Sequence, residues 1–195
     1  MHPMKSNIAL IGFSYSGKSK IGRELAVLLG REFVDVDEEI EKEQGMDISG
    51  IFQEKGEEYF RELEHEKLEQ LGKRNNLVIS VGGGAPTFKR NVDILKKSCI
   101  IIGLKARLEL ILSRMHNKSS SRPLLSSRSE KEIVQLYEER LPIFSHADIL
   151  VEVEDLPARE NTEKVFKKLN SYLMSGKKSH GKKMNAAGGI RARDL

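Results

Sequence analysis

A glycine-rich loop between a buried strand and a helix constrains this chain more than any other feature. Residues 12–19 read Gly-Phe-Ser-Tyr-Ser-Gly-Lys-Ser and fit the pattern G-x-x-x-x-G-K-[ST] at every fixed position. The apolar run 8–11 before them predicts a buried parallel strand, and apolar residues at helical spacing follow up to Leu29. Strand, loop and helix together predict a phosphate-binding loop (P-loop) for ATP or GTP.

The chemistry of phosphate binding explains the residues of this loop. Its two glycines let the backbone curl so that successive amides point at an anion, and the start of the helix adds partial positive charge. Lys18 can reach the outer phosphates, and the Ser19 hydroxyl can contact Mg²⁺. A Gly/Ser-rich turn before a surface helix is the alternative. By chance, about one chain of this size in a hundred, or fewer, would contain the pattern. This low frequency favours the P-loop.

The rest of the chain alternates strands with helices, which predicts one α/β domain with a parallel sheet. Short helices are predicted at 38–43 and 48–55, a longer one at 57–73, and a closing helix at Thr162–Met174. The five predicted strands are residues 8–11, 32–36, 77–81, 100–104 and 149–153.

Charge and cysteine content narrow the class of protein. The net charge is +4, but residues 176–195 hold six Lys and Arg against one Asp, so the rest of the chain is nearly neutral. We therefore predict a folded domain at 1–175, a basic disordered tail at 176–195, and no nucleic-acid partner. No apolar run approaches the ~18 residues of a membrane span. A single cysteine, Cys99, indicates a reducing, cytoplasmic setting, and we predict a monomer.

Polar residues follow two further strands, at the sheet edge where parallel strands gather their ligands. Asp35 and Asp37 end the second strand, and their spacing predicts side chains on one side of an extended backbone. One carboxylate would help to hold Mg²⁺ and the other would receive a substrate hydroxyl. A pair of acids capping the next helix is the alternative. Gly82, Gly83 and Gly84 end the third strand and would let backbone amides approach a small ligand closely.

Three arginines stand in contexts unlike plain surface. Arg122 lies in a Ser- and Lys-rich stretch that predicts a lid, and Arg140 precedes Leu-Pro. Arg61 has Glu64 three residues further on the same helix face, where the carboxylate could hold the guanidinium in place.

These motifs occur together in the order and spacing of the shikimate kinase family, which residues 7–174 resemble. The segments that carry the resemblance are GFSYSGKS, DVD, FRELE, GGGA, RPLL and ERLPIF. The resemblance implies a three-layer P-loop NTPase fold like that of nucleoside monophosphate kinases, with strand order 2-3-1-4-5. It also implies a substrate-binding region near 38–66 and a lid near 115–126. The implied reaction transfers the ATP γ-phosphate to the 3-hydroxyl of shikimate, in aromatic amino-acid biosynthesis.

The resemblance also assigns roles to matching positions. Lys18 and Arg122 would stabilise the phosphates, Ser19 would bind Mg²⁺ and Asp35 would reach it through water. Asp37 would bind the shikimate hydroxyls and take part in catalysis. Arg61 and Arg140 would bind the carboxylate, with Gly82, Gly83 and Gly84 beside the ring. The implied ATP-binding residues are Gly12, Ser14, Tyr15, Ser16, Gly17, Lys18, Ser19, Lys20, Arg114 and Arg122.

Some positions depart from the family pattern. Lys20 follows the P-loop where the family usually has Thr, and Phe144 replaces a common Tyr. Arg114 resembles an adenine-stacking arginine, but a lid one residue longer separates it from Arg122.

Three other functions fit parts of the sequence. Another small P-loop kinase, for gluconate or a nucleotide, would share the loop but should lack the arginine pair with the triple glycine. A regulatory nucleotide-binding protein would be favoured by loss of Lys18, Asp37 or Arg122, and all three are present. Nucleic-acid binding through the basic tail is the third.

Overall fold

Five parallel strands form a single sheet in the centre of the molecule. The computed structural model describes residues 6–116 and 129–185, with side chains up to residue 175. The strands are β1 (Asn7–Ile11), β2 (Glu32–Asp35), β3 (Leu77–Ser80), β4 (Cys99–Ala106) and β5 (Ile149–Val153). Their order in the sheet is β2-β3-β1-β4-β5, and every neighbouring pair is parallel. The fold class and strand order expected from the sequence are confirmed.

Helices cover both faces of this sheet and make the three layers. Two short 3₁₀ helices, Ala85–Thr87 and Leu141–His146, follow β3 and the sixth α-helix. The α-helices of the described ranges are α1 (Lys18–Leu29), α2 (Val36–Gln44), α3 (Ile48–Gly72), α4 (Lys89–Ser98), α5 (Leu108–His116), α6 (Glu130–Arg140) and α7 (Ala158–Asn185).

The central strand β1 shows why the core has two halves. All five of its residues are buried, and alternate side chains point to opposite faces. Ile8 and Leu10 belong to a cluster with apolar residues of α1, α5 and α7, whereas Ala9 and Ile11 join one with residues of α2, α3 and α4. A strand buried on both faces is apolar on both, which is why residues 8–11 read as an uninterrupted apolar run; the buried Asn7 before them pairs its side chain with backbone groups.

Glycines set the helix ends that the sequence predicted. Gly30 ends α1 in the left-handed conformation, and its amide bonds the carbonyls of Ala26 and Val27. Gly56, at φ 85°, interrupts α3 at the point where the sequence separated two helices. The two predicted helices are therefore one element with a break.

The last helix runs further than its apolar pattern indicated. Thr162–Met174 was predicted as its extent, whereas α7 continues to Asn185 and includes the first part of the predicted tail. Extending a helix that is already formed costs little, because each added residue gains a backbone hydrogen bond, so continuation needs no apolar face of its own. Residues 186–195 lie outside the described residues, and the disordered tail there stays a prediction.

Buried Asn7 ties the amino edge of the sheet together. Its side-chain amide donates to the carbonyl of Arg74 at 2.8 Å, and its carbonyl accepts from the Leu77 amide at 3.0 Å. These bonds join the segment after α3 to the start of β3, and Asn7 is fully buried.

We expect Asn7→Ala to lower the free energy of unfolding by ~1–3 kcal/mol, because it leaves a buried donor and a buried acceptor without partners. Urea denaturation would measure the change. Ser6→Ala is the matched control, since it removes an exposed hydrogen bond to Asn75 from the neighbouring position. A loss for Asn7→Ala no larger than that of the control would contradict this account.

Candidate active site

The predicted functional segments meet at the carboxyl edge of the sheet. The P-loop follows β1, the acidic pair begins at the last residue of β2 and the triple glycine follows β3. These three strands are neighbours in the order β2-β3-β1. Parallel strands place their carboxyl ends side by side, so the three segments form one cleft.

The P-loop is held in a conformation suited to an anion. Gly17 stands at the start of α1 with φ 97°, and Tyr15 has φ 62°, which is uncommon for a residue with a side chain. No side-chain hydrogen bond caps α1 at Gly17, and the first amides of an uncapped helix suit an anion. The Lys18 ammonium donates to the carbonyls of Gly12 and Phe13 at 2.9 and 3.0 Å. These bonds hold the lysine against the loop that the sequence predicts to bind phosphates.

A short hydrogen bond joins the P-loop to the acidic pair. The Ser19 hydroxyl donates to Oδ2 of Asp35 at 2.6 Å, so the two residues predicted to serve Mg²⁺ are in contact. Asp35 also caps α2, and its Oδ1 accepts from the Asp37 amide.

The expectation that Asp37 lies on an extended strand is wrong. Asp37 stands in the first turn of α2, because β2 ends at Asp35 and the Asp35 carboxylate starts the helix at once. The capping alternative is therefore correct for Asp35, which also contacts Ser19. Asp37 still reaches the cleft, from the helix instead of the strand.

The triple glycine contacts the predicted acceptor residues. A β-carbon on Gly82 would clash with Glu64 and lie 2.8 Å from Asp37 Oδ1. One on Gly84 would lie 3.0 Å from both terminal nitrogens of Arg61. Only residues without side chains let these groups come so close to the turn.

Gly83 brings the P-loop and α6 to the same turn. A β-carbon on Gly83 would lie 3.2 Å from the Ser14 hydroxyl and 3.4 Å from a terminal nitrogen of Arg140. The Arg140 guanidinium also stands 5.5 Å from the Phe13 ring centre, within range of a cation–π interaction. Arg140 therefore lies between the phosphate loop and the predicted acceptor site.

Arg61 is held by two carboxylates of its own helix. Its Nη1 donates to Glu64 at 2.9 Å, while Nε and Nη2 donate to one oxygen of Glu57 at 3.2 and 2.6 Å. Burial lowers the pKa of Arg61, but Glu64 and Glu57 more than offset it, so the net pKa is raised and the residue stays charged.

Glu64 is a site residue that the sequence analysis did not assign as one. Its side chain is 0 % exposed, and its Oε1 lacks a hydrogen-bond partner among the described residues. Burial raises the pKa of Glu64 to about 7, with Asp37 adding to the shift and Arg61 opposing it. The spacing Arg61–Glu64 was the available signal, but spacing alone does not show that a carboxylate is buried beside a second acid.

Arg114 and the P-loop line a cavity of about 370 Å³ next to α1. Arg114 donates to the carbonyls of Tyr15 and Glu154 at 3.1 and 3.3 Å, which joins the P-loop to the segment after β5. Lys20, which is exposed in the first turn of α1, also lines this cavity.

The segment after β5 also lines this cavity, and the sequence analysis did not identify its residues as candidates for a site. Leu156 and Pro157 lie there, and buried Asn161 fixes their segment through bonds to the backbone of Glu154 and Leu156. A loop of mixed composition carries no binding motif, so no signal in the sequence marked this part of the cavity lining.

Arg122 lies outside the described residues, and so does the predicted lid apart from Met115 and His116. The role of this arginine in phosphate binding therefore stays a prediction.

The described part of the cleft can support transfer of a phosphoryl group between two ligands. One end offers loop amides, Lys18 and the Ser19–Asp35 pair, which suit a nucleoside triphosphate. The other offers Arg61 and Arg140 with two acids, Asp37 and Glu64, which suit a small molecule with a carboxylate and hydroxyls.

Comparisons with known proteins agree with this geometry. Residues 15–170 match the family model for shikimate kinase. The chain is 45% identical over 148 residues to a shikimate kinase from Persephonella marina, which covers 76% of this chain and 89% of that one.

Solved structures give the same result. A shikimate kinase from Acinetobacter baumannii, in complex with shikimate, superposes with a TM-score of 0.81 at 37% identity, over 86% of this chain and 94% of that one. A gluconokinase from Sinorhizobium meliloti has a TM-score of 0.56 at 19% identity, over 88% and 98%, and so shares the fold alone. The family model and the curated relative both cover most of the sequence, and the chain belongs to the shikimate kinase family.

Proposed function

We propose that this chain transfers the γ-phosphate of ATP to the 3-hydroxyl of shikimate, giving ADP and shikimate 3-phosphate for aromatic amino-acid biosynthesis. Members of the shikimate kinase family use ATP as co-substrate. The observation that carries the proposal is the close approach of Arg61, Arg140 and Asp37 to the turn formed by Gly82, Gly83 and Gly84, next to the P-loop.

The donor end of the cleft would hold the triphosphate. P-loop amides and Lys18 would bind its β- and γ-phosphates, and Arg122 would add positive charge from the lid. The oxygens of Ser19 and Asp35 are the ligand type that Mg²⁺ prefers, directly or through water, and they stand together at the loop. Mg²⁺ bound there would supply charge neutralisation to the phosphates.

The acceptor end would bind and orient shikimate. Arg61 and Arg140 would pair with its carboxylate, while Asp37 would accept a hydrogen bond from its hydroxyls. In the reaction a bond forms between the 3-oxygen and the γ-phosphorus, and the bond from that phosphorus to the β,γ-bridging oxygen breaks. The hydroxyl proton passes to Asp37.

We also propose a monomer that acts in the cytoplasm without nucleic acid. The folded region is nearly neutral, and the excess positive charge lies in residues 176–195. Within residues 6–116 and 129–185, no helix has both the length and the apolar content to cross a membrane.

A coupled assay of ADP release tests the proposed function against its rivals. Shikimate, gluconate and nucleoside monophosphates are supplied separately with MgATP. We expect turnover with shikimate and background rates with the others, because only shikimate offers a carboxylate and ring hydroxyls of the right size to the arginine pair. Turnover with gluconate or a nucleotide in place of shikimate would overturn the assignment.

We expect Arg140→Ala to weaken shikimate binding roughly ten- to a hundredfold and to leave ATP binding within about twofold. The reason is that a charge-assisted hydrogen bond contributes ~1.5–3 kcal/mol to binding, and that Arg140 lies close to the acceptor turn at Gly83. Titration calorimetry with each ligand gives both affinities. Arg74→Ala is the control, because that arginine pairs with Glu32 at the amino edge of the sheet. Unchanged shikimate affinity in Arg140→Ala would contradict the acceptor role.

The charge of the acceptor site depends on Glu64. Its pKa is raised from 4.5 to about 7 in the folded protein, so the folded state keeps a proton that the unfolded chain has already lost. Between these two values the unfolded state binds fewer protons, and stability must fall as pH rises.

We therefore expect the ligand-free protein to lose stability between about pH 4.5 and about pH 7 relative to the Glu64→Gln variant, whose amide does not ionise. Urea denaturation of both proteins across this range measures the difference. Glu58→Gln, on the exposed side of the same helix, should follow the wild type. Parallel curves for wild type and Glu64→Gln would show that the Glu64 pKa is not raised.

A further inference from the structure

Two carboxylates hold the Arg61 guanidinium, and the glycine turn lies beside it. Glu64 accepts from Nη1 at 2.9 Å, and a β-carbon on Gly84 would lie 3.0 Å from both Nη1 and Nη2. Glu57 accepts from both Nε and Nη2 with its Oε1. The Nε–Nη2 edge is a planar fork that matches a carboxylate, so Glu57 holds an edge that an incoming acceptor carboxylate could use.

The two carboxylates differ in how easily they can leave. Glu64 is fully buried, whereas the Glu57 side chain is 59 % exposed. Glu57 also follows directly after the α3 break at Gly56, where the backbone leaves the helical conformation. Rotation of the Glu57 side chain would move its charge into water at low cost, while Glu64 has no such alternative.

We propose that Glu57 is a placeholder for the carboxylate of the acceptor: shikimate takes the Nε–Nη2 edge of Arg61 and displaces Glu57 into solvent. Glu57 thereby sets the affinity for the acceptor, and Glu64 keeps the guanidinium in position throughout. This inference rests on the proposed function, because it needs an acceptor that carries a carboxylate.

The charges around the site support displacement. Three acids (Glu57, Glu64 and Asp37) stand near two cations, Arg61 and Arg140. A bound carboxylate adds another negative charge to a site where burial already disfavours the ionised form of Glu64. Moving Glu57 away from Arg61 removes one negative charge as the acceptor brings one in, so the local balance is kept.

The Glu57→Gln variant tests this placeholder role. It keeps the size of the side chain and weakens its hold on the guanidinium, so we expect shikimate to bind roughly two- to fivefold more tightly, the range that an exposed ion pair allows. ATP affinity should not change. Glu58→Gln is the matched control, because it removes the same charge from the next exposed position, where no contact with Arg61 is made. We expect wild-type affinity in the control.

Two further measurements locate the effect on Arg61. In an Arg61→Ala background, adding Glu57→Gln should leave shikimate affinity unchanged, because there is no edge left to compete for. A shikimate analogue with a carboxamide in place of the carboxylate should gain nothing from Glu57→Gln.

Three results for the variants would each contradict the placeholder role of Glu57, and each has a different meaning. Weaker shikimate binding in Glu57→Gln would mean that Glu57 positions Arg61 for the acceptor, and equal binding would mean that it does not compete; either overturns the inference. A gain matched by Glu58→Gln would also overturn it, because the effect would then be general electrostatics. If the wild type fails to phosphorylate shikimate, the proposed function falls and this inference falls with it. If the wild type phosphorylates shikimate, the proposed function holds, and the Glu57→Gln results test the placeholder role alone.

Discussion

The buried pair between Arg61 and Glu64, set against a turn without side chains, is the interaction on which the acceptor site depends. Without Arg61, Glu64 would be an unpaired carboxyl in the protein interior, and without Glu64, Arg61 would keep only the exposed Glu57 as a partner. Together they fix a guanidinium beside Gly84. Breaking such a buried pair by removing one partner is costly, since the other charge stays buried. The site is therefore rigid where the acceptor is recognised.

The order of the strands in the sheet places this rigid acceptor site next to the P-loop. Because β3 lies between β2 and β1, the acceptor turn stands between the acidic pair and the P-loop. Gly83 lies close to both Ser14 of the loop and Arg140 of α6, so the phosphate end and the acceptor end of the cleft are adjacent at this turn. Two ligands bound at these ends would have their reacting groups close together, and that proximity is most of what phosphoryl transfer asks of a protein.

The sequence was most informative where one residue type has one physical use. The P-loop glycines, the apolar β1 strand and the break at Gly56 correspond to features of the structure for this reason. It was least informative where the outcome depends on tertiary placement. The raised pKa of Glu64 comes from burial and from Asp37, which lies far away in the chain, and neither leaves a local pattern. The helical position of Asp37 follows from Asp35, which caps α2; this is a local signal, and the sequence offered it as the alternative.

Affinity of the Gly84→Ala variant for shikimate tests most directly whether recognition depends on Arg61 against this turn. Gly84 has φ −97° and ψ −21°, which alanine adopts readily, and the nearest atoms to the new methyl group all belong to the Arg61 guanidinium. The substitution therefore pushes that guanidinium away by a few tenths of an ångström, with little other change. We predict a loss of roughly tenfold or more in shikimate affinity by calorimetry, with ATP affinity within about twofold of wild type. Unchanged shikimate binding, or an equal loss for both ligands, would contradict the account.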